Sequence, residues 1–243
     1  MAEIIHKFGR NNAVGAVWED VWVRGGTYVW PQAATKMHIS SSTASDTSTG
    51  TGARAVRLIG LDANFDELEE TVSLAGTSTA VSTNSFVRMN RAYLVDVGAY
   101  ADLDSGGNAG TITINSSGGD AVAAISVSGG VGAGQTNLAR FTSPAGLFMY
   151  VNSVFISVDS NQAADIAMWL REDADTVSAP FSPRRLQIQM DGLAGVEFWN
   201  PDTALGPFPP KSDIWWSAKA GAQTAVTVDF EIILTPSTFQ VSI

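Results

Sequence analysis

Histidine is the first residue type to consider for chemistry, and the 243-residue chain has two, His6 and His38. A Ser-His-Asp triad would need one of them, and no Gly-x-Ser-x-Gly motif occurs to present a nucleophilic serine. Neither a His-x-His nor a His-x-x-x-His pair exists, and the cysteine count is 0, so the usual zinc ligand sets are missing. We therefore expect no catalytic residues and no metal site.

The acidic string that begins at Asp62 is the best candidate for a cation site. Asp62, Asn64 and Asp66 have the first three ligand spacings of an EF-hand. Glu67 occupies the position where that loop needs a glycine, and a serine replaces the bidentate glutamate at the end. We interpret the string as a solvated connection between two strands.

Phosphate chemistry is not favoured either. The glycine-rich segment Gly129–Gly134 precedes no helical pattern and lacks the Lys-Ser/Thr ending of a phosphate loop. Arg184 and Arg185 form the only adjacent basic pair, which we interpret as a solvated edge or an intersubunit ion pair. The net charge of −10 argues against a protein that tracks nucleic acid through its phosphates. No cofactor is expected.

Carboxylates are numerous, with 24 Asp and Glu residues, but no pair for glycoside hydrolysis can be singled out, and we do not predict an enzyme. The first residues show no apolar core of a signal peptide. The longest apolar stretches fall short of the roughly 20 residues that span a bilayer. We expect no association with a membrane.

The elements that must position any site are strands. About a dozen short β patterns, separated by turn signals roughly every 8–12 residues, predict an all-β fold. Ala53–Leu61 and Glu69–Ala75 predict a hairpin, and Ser85–Val97 predicts a central strand because both of its faces are apolar. The polar tract at 40–52 predicts a loop or an irregular edge. We predict a jelly-roll-like antiparallel β-sandwich over 35–243, with a possible internal boundary near 129–135.

Residues 1–34 are predicted to form an extended N-terminal arm that docks through large aromatic side chains. Trp215 and Trp216 face opposite sides of a later strand, so one of them could be presented to a partner. The arm could equally pack on its own domain, and for Trp215 and Trp216 burial of both faces is the favoured interpretation, since aromatics dominate cores as well as interfaces. The predicted partner-interface residues are Trp18, Trp22, Tyr28, Trp30, Trp215 and Trp216.

The segment Ser45–Phe65 resembles part of the structural proteins of tailed bacteriophages, particularly marine and cyanobacterial phages. The resemblance continues through Glu69–Gly76 and Ser85–Arg91, and Glu19–Trp22 and Gly25–Tyr28 resemble the lead-in of those proteins. It is most specific over about residues 18–115. Head decoration (cement) proteins with jelly-roll-like folds are one well-populated role in that group.

The resemblance implies a capsid or virion context. Because the negative charge argues against a DNA-facing position, we expect a virion structural protein on the capsid exterior. The expected function is a decoration or cement protein that binds and stabilises the major capsid shell, acting as a homotrimer. Its expected partners are copies of itself and the major capsid protein. The alternative is a tail or receptor-binding protein that recognises a host surface glycan through exposed Trp199, Trp215 or Trp216.

Overall fold

The computed structural model describes residues 2–99, 107–127, 134–159, 161–200 and 203–236. These residues contain no helix, so none is long and apolar enough to cross a membrane. Seventeen strands are present in the described residues, and every pairing between them is antiparallel. In chain order they are β1 (Glu3–Val14), β2 (Glu19–Asp20), β3 (Thr35–Ser41), β4 (Ala53–Leu61), β5 (Glu67–Ser73), β6 (Ala80–Phe86), β7 (Arg88–Val97), β8 (Ile112–Ser116), β9 (Ala121–Ile125), β10 (Arg140–Thr142), β11 (Leu147–Val158), β12 (Ala164–Arg171), β13 (Arg185–Leu193), β14 (Gly195–Trp199), β15 (Leu205–Phe208), β16 (Asp213–Ala220) and β17 (Thr224–Pro236).

The chain divides into two compact units. The discontinuous unit comprises Met1–Thr27 together with Leu138–Ile243, and the inserted unit is Tyr28–Asn137. The predicted division at residue 34 does not appear, because β1 pairs with β17 along almost its whole length and belongs to a sheet. Most of the predicted boundary at 129–135 lies outside the described residues, and the second division falls between 137 and 138.

The discontinuous unit is a sandwich of two sheets. The first sheet has the order β1-β17-β11-β14, and β15 also pairs with β11. The second sheet has the order β10-β16-β12-β13, and β2 also pairs with β16. A single cluster of buried side chains from both sheets, including Met168, Trp216 and Phe230, forms the core between them. Packing of two inner faces around one apolar layer is the defining feature of a β-sandwich.

The strand order of this sandwich is that of a jelly roll. Each sheet has four principal strands: β1, β11, β14 and β17 in the first, and β10, β12, β13 and β16 in the second. In chain order, these strands therefore lie in sheets one, two, one, two, two, one, two and one. Eight antiparallel strands that wind between two sheets in this way make up the two Greek keys of a jelly roll. The predicted fold class, an all-β antiparallel sandwich of jelly-roll type, is confirmed for this unit.

The inserted unit enters between β2 and β10 and has two sheets of its own, β6-β3-β8-β9 and β5-β4-β7. The predicted hairpin is present as β4 and β5, in register from Ala55↔Ser73 to Leu61↔Glu67. The predicted strand 85–97 breaks at Val87 into β6 and β7. Strand β7 lies at the end of its sheet rather than at the centre, and the segment at 134–136 covers its open side through hydrogen bonds to Ala92 and Leu94.

Candidate interaction surfaces

Trp215 and Trp216 lie on opposite faces of β16, as their adjacency predicts, but neither is presented to solvent. Trp216 is fully buried in the sandwich core, with its ring 6.2 Å from that of Phe230. Trp215 lies on the outer face, in register with Arg140 on one side and Trp169 on the other, and is also buried. Both tryptophans therefore stabilise the sandwich, and neither offers surface to a partner.

Trp22 is also buried against the jelly roll. Its indole Nε1 donates a hydrogen bond of 2.7 Å to the carbonyl of Gly25, and the Arg140 guanidinium lies 5.3 Å from its ring centroid. The ring is buried. A tight local turn and a cation–π contact thus fix Trp22 inside its own unit, rather than on an arm that reaches a neighbour.

Tyr28 and Trp30 pack on the inserted unit. Their rings meet edge to face at 5.0 Å, and the guanidinium of the buried Arg88 lies 5.1 Å from the Trp30 centroid. Arg88 also donates a hydrogen bond of 2.7 Å to the carbonyl of Pro31. This arginine therefore ties the segment after residue 27 to β7, which leaves Tyr28 buried and Trp30 half-buried.

Trp18 is the one predicted interface residue with substantial exposure, at 38%. The Lys219 ammonium lies 5.1 Å from its ring centroid, and the same ammonium bonds Asp165 at 3.1 Å. The Gly192 backbone N–H donates a second hydrogen bond, of 2.9 Å, to Asp165. Trp18 thus remains the member of the predicted set that can touch a partner.

The Asp165 cluster predicts an acid-side loss of stability. The hydrogen bond from Gly192, followed by the one from Lys219, holds the pKa of Asp165 below its ordinary value of 3.8. A carboxylate with a depressed folded-state pKa stabilises the fold above the unfolded pKa, and this contribution disappears as pH falls through the folded pKa. In urea unfolding, Asp165→Asn should be less stable than the parent at about pH 6, and the difference should shrink at about pH 3. A difference that is unchanged between the two pH values would contradict this account.

Within the described ranges, no group of three or more His, Asp or Glu side chains could hold a metal ion. Asp62 Oδ1 accepts hydrogen bonds from the backbone N–H groups of Asn64 (2.7 Å) and Asp66 (3.0 Å). This carboxylate therefore closes a turn, in agreement with the predicted connection between two strands. His6 pairs with Asp229 on the outer face of the jelly roll, and His38 lies on β3 of the inserted unit.

A groove of about 690 Å³ lies beside β7 in the inserted unit and includes Arg91, Tyr93 and Asp96 in its wall. Asp96 is the only carboxylate among its described lining residues. Glycoside hydrolysis uses two carboxyl groups that flank the scissile bond. The described lining residues of the groove therefore do not supply the pair that such an enzyme needs.

An exposed apolar patch on the outer face of the first sheet was missed by sequence reasoning. Phe198 on β14 is in register with Phe155 on β11, and Val196 lies two residues before Phe198 on the same face. Their exposed fractions are 59%, 40% and 60%, respectively. We call Phe155, Val196 and Phe198 the β14 patch. Asp229, which pairs with His6, lies beside the patch in register with Phe155. Glu197, between Val196 and Phe198, is in register with the buried Ile156 and faces the other side of the sheet.

A second exposed patch lies on the outer face of the other sheet. Leu186 on β13 is in register with Trp169 on β12, and the Arg184 guanidinium is 4.6 Å from the Trp169 centroid. Leu186 is 45% exposed, and Phe181, in the connection that leads into β13, is 58% exposed. We call Trp169, Arg184 and Leu186 the β13 patch. The only signal in the sequence was the Arg184-Arg185 pair, which was interpreted there as a solvated edge or an intersubunit contact.

No protein-family model matches the chain, and no curated protein matches it at a significant level. A chain from T=1 particles derived from infectious bursal virus is similar at 9% identity and a TM-score of 0.28, over 97% of this chain and 69% of that one. The infectious bursal disease virus VP2 subviral particle is similar at 10% identity and a TM-score of 0.24, over 96% and 72%.

An enzyme also aligns at the same level. The isomalto-dextranase of Arthrobacter globiformis T6, complexed with panose, has 10% identity and a TM-score of 0.24, over 92% of this chain and 36% of that one. TM-scores this low do not define a common fold, so the jelly roll is assigned from this chain's own strand order. Membership in the structural proteins of tailed phages stays a prediction from sequence.

Proposed function

We propose that this chain is a virion structural protein that acts on the capsid exterior as a decoration or cement protein. The observation that carries the proposal is the jelly-roll strand order of the discontinuous unit, because jelly rolls are the common architecture of viral capsid domains. A fold alone does not fix a function, since lectin domains and cupins share this one. The resemblance of residues 18–115 to tailed-phage structural proteins selects the virion among these contexts.

The exposed surface supports an assembly role. The two outer faces of the jelly roll carry apolar patches. The surface of a soluble monomer usually presents single apolar residues among charged ones instead. A protein that works by binding copies of itself and the major capsid protein needs such faces and needs no turnover chemistry. The net charge of −10 favours a position away from the packaged nucleic acid.

The glycan-binding alternative has weaker support. The residues it depended on, Trp215 and Trp216, are buried, and Trp199 packs against the sandwich core. Stacking on a sugar requires an accessible ring face, which Trp215 and Trp216 do not offer.

A reconstruction of the virion that encodes this chain tests the proposal, with immunogold labelling of intact particles as the simpler form. We expect density or label over the head, in copy numbers that match the capsid symmetry. Label confined to the tail would overturn the decoration role in favour of the alternative. A chain that is absent from purified virions would overturn the virion role itself.

A further inference from the structure

We propose that the groove beside β7 is a binding site for a short, uncharged oligosaccharide. We call it the Tyr93 groove, and its lining includes Ile59, Arg91, Tyr93, Asp96 and Gln135. This inference goes beyond the proposed function, because it gives the inserted unit a ligand of its own. A capsid-exterior protein with such a site would attach its particle to polysaccharide.

Tyr93 lies in the wall of the groove between two polar side chains. It is in register with Arg57 on β4, and its other side forms an isolated bridge with Gln135. In-register residues of antiparallel strands share one face, with Cβ atoms about 4.5–5.5 Å apart. Arg57 and Ile59 alternate with the fully buried Leu58, so the shared face is the outer one. The structure therefore places an aromatic ring among hydrogen-bonding groups on the outside of sheet β5-β4-β7.

The side chains of the groove match the two kinds of surface that a sugar presents. A pyranose ring has faces of C–H groups, which pack on apolar side chains such as Tyr93 and Ile59. Its hydroxyl groups both donate and accept hydrogen bonds. The Arg91 guanidinium donates, the Asp96 carboxylate accepts, and the Gln135 amide does both. A groove with this mixture can satisfy hydroxyl groups in either role.

The charges favour an uncharged sugar over an anionic ligand. Among the described lining residues, the ionised side chains are Arg91 and Asp96, one of each sign. Arg57, on the same face, is paired with Glu69. Phosphate and other acidic groups are typically held by unopposed arginines in bidentate contacts. Asp96 would repel such a group, and the chain's net charge of −10 would slow its approach.

The groove is held open by the protein's own hydrogen bonds. The Leu94 N–H donates to the Gly134 carbonyl at 2.8 Å, and the Thr136 N–H donates to the Ala92 carbonyl at 2.9 Å. The Ala92 N–H donates in turn to Thr136 Oγ1 at 3.1 Å. These bonds fix the segment that carries Gln135 against β7. A wall that is already in place lowers the ordering cost of binding.

The dimensions favour a small ligand over a protein partner. The volume of about 690 Å³ falls within the roughly 300–1,000 Å³ of small-molecule sites. A stable protein contact instead covers about 800 Å² on each partner. The β13 and β14 patches suit such a contact better, because they are exposed apolar faces rather than a groove.

Saturation-transfer NMR with the purified full-length chain tests the inference. The uncharged probes are maltotriose, cellotriose and chitotriose, and the acidic probe is trigalacturonate. We expect saturable binding of at least one uncharged probe and none of trigalacturonate. Titration of the bound sugar into isotope-labelled protein should shift the amide signals of Tyr93 and Gln135.

Variants of the groove test its role directly. Tyr93→Ala should weaken binding about tenfold, because it removes the ring on which the sugar packs. Gln135→Ala should weaken it several-fold by removing one hydrogen-bonding group. Tyr93→Phe keeps the ring, so it should fold like the parent and lose less affinity than Tyr93→Ala. The matched control is Phe198→Ala, which removes a 59% exposed aromatic ring from the other unit and should bind normally.

Four results would overturn the inference. They are no binding of any uncharged probe, binding of trigalacturonate alone, full affinity in both Tyr93→Ala and Gln135→Ala, and equal losses in Tyr93→Ala and Phe198→Ala. If Tyr93→Ala fails to fold, Gln135→Ala and the amide shifts decide. Loss of capsid binding in Tyr93→Phe or Gln135→Ala, without any sugar binding by the parent, would make the groove a protein contact instead.

Discussion

Deletion of residues 2–14 should abolish folding of the jelly roll. The sequence predicted the opposite, an arm whose removal leaves a folded protein. In the structure these residues form β1, which pairs with β17 from Glu3↔Leu234 to Val14↔Thr224. Strand β17 pairs with β11 on its other side, so loss of β1 turns a central strand into an edge and uncovers one side of the core.

The side chains of β1 explain the size of the effect. Val14 is fully buried in the core cluster, and Gly9 approaches Ala139 so closely that a Cβ at this position would lie 2.0 Å from the Ala139 nitrogen. A whole-strand deletion removes one ladder of hydrogen bonds and this packing together. The loss should exceed the roughly 5–15 kcal/mol by which domains are stable.

Denaturant unfolding monitored by tryptophan fluorescence checks this prediction, because Trp216 reports on the core. The shortened chain should lack the transition of the discontinuous unit, and a synthetic peptide of residues 2–15 should restore it by supplying the missing strand. The control is Ile4→Thr, at an outward position of β1 that is 70% exposed, which should change stability by less than about 0.5 kcal/mol. A shortened chain with the parent's transition would mean that β1 is dispensable.

The failure to predict β1 has a physical cause. A half-buried strand is recognised by apolar residues at alternate positions. On the inward face of β1, Lys7 and Asn11 are buried, and Gly9 between them has no side chain. The pattern therefore looked polar, while the aromatics that follow it looked like an exposed docking surface. Hydrogen bonds and close backbone contacts position this strand, and these leave no periodic signal.

Where apolar alternation was strong, the prediction followed the structure closely. Ala53–Leu61 was predicted with the bounds that it has as β4. The exposed β13 and β14 patches could not be found this way. Phe198 and Leu186 are apolar residues on strands, and the sequence does not tell which face of an edge strand the sandwich covers.

The second large effect concerns Asp46, in the polar tract that was predicted as a loop. The residues around it form turns and bends rather than a regular strand, and Asp46 itself is fully buried. One oxygen, Oδ1, accepts hydrogen bonds of 2.8 Å from the backbone N–H groups of Ala53 and Ala109. The other, Oδ2, accepts from Ser41 Oγ at 2.6 Å and from the Gly110 N–H at 2.9 Å.

One carboxylate thus joins three segments of the inserted unit that are distant in sequence. Asp46→Ala should destabilise this unit by at least about 3 kcal/mol, because it leaves the buried N–H donors of Ala53 and Gly110 and the buried Ser41 hydroxyl without their acceptor. Asp46→Asn should also cost about 2 kcal/mol or more, since its NH₂ group would face donors where an oxygen now accepts. Gly52 lies against the same carboxylate, and a Cβ there would be 2.1 Å from Oδ1, which leaves no space for the site to rearrange.

The matched control is Asp62→Asn, the same chemical change in the turn between β4 and β5. Only Oδ1 of Asp62 accepts backbone hydrogen bonds, and an asparagine oxygen can accept them in the same position. Its effect should stay within about 0.5 kcal/mol. Urea unfolding of the three variants measures these effects. Asp46→Asn and Asp62→Asn make the same chemical change, but the two carboxylates differ in burial and in the number of hydrogen bonds that they accept. Equal effects of Asp46→Asn and Asp62→Asn would show that the buried carboxylate does not organise the inserted unit.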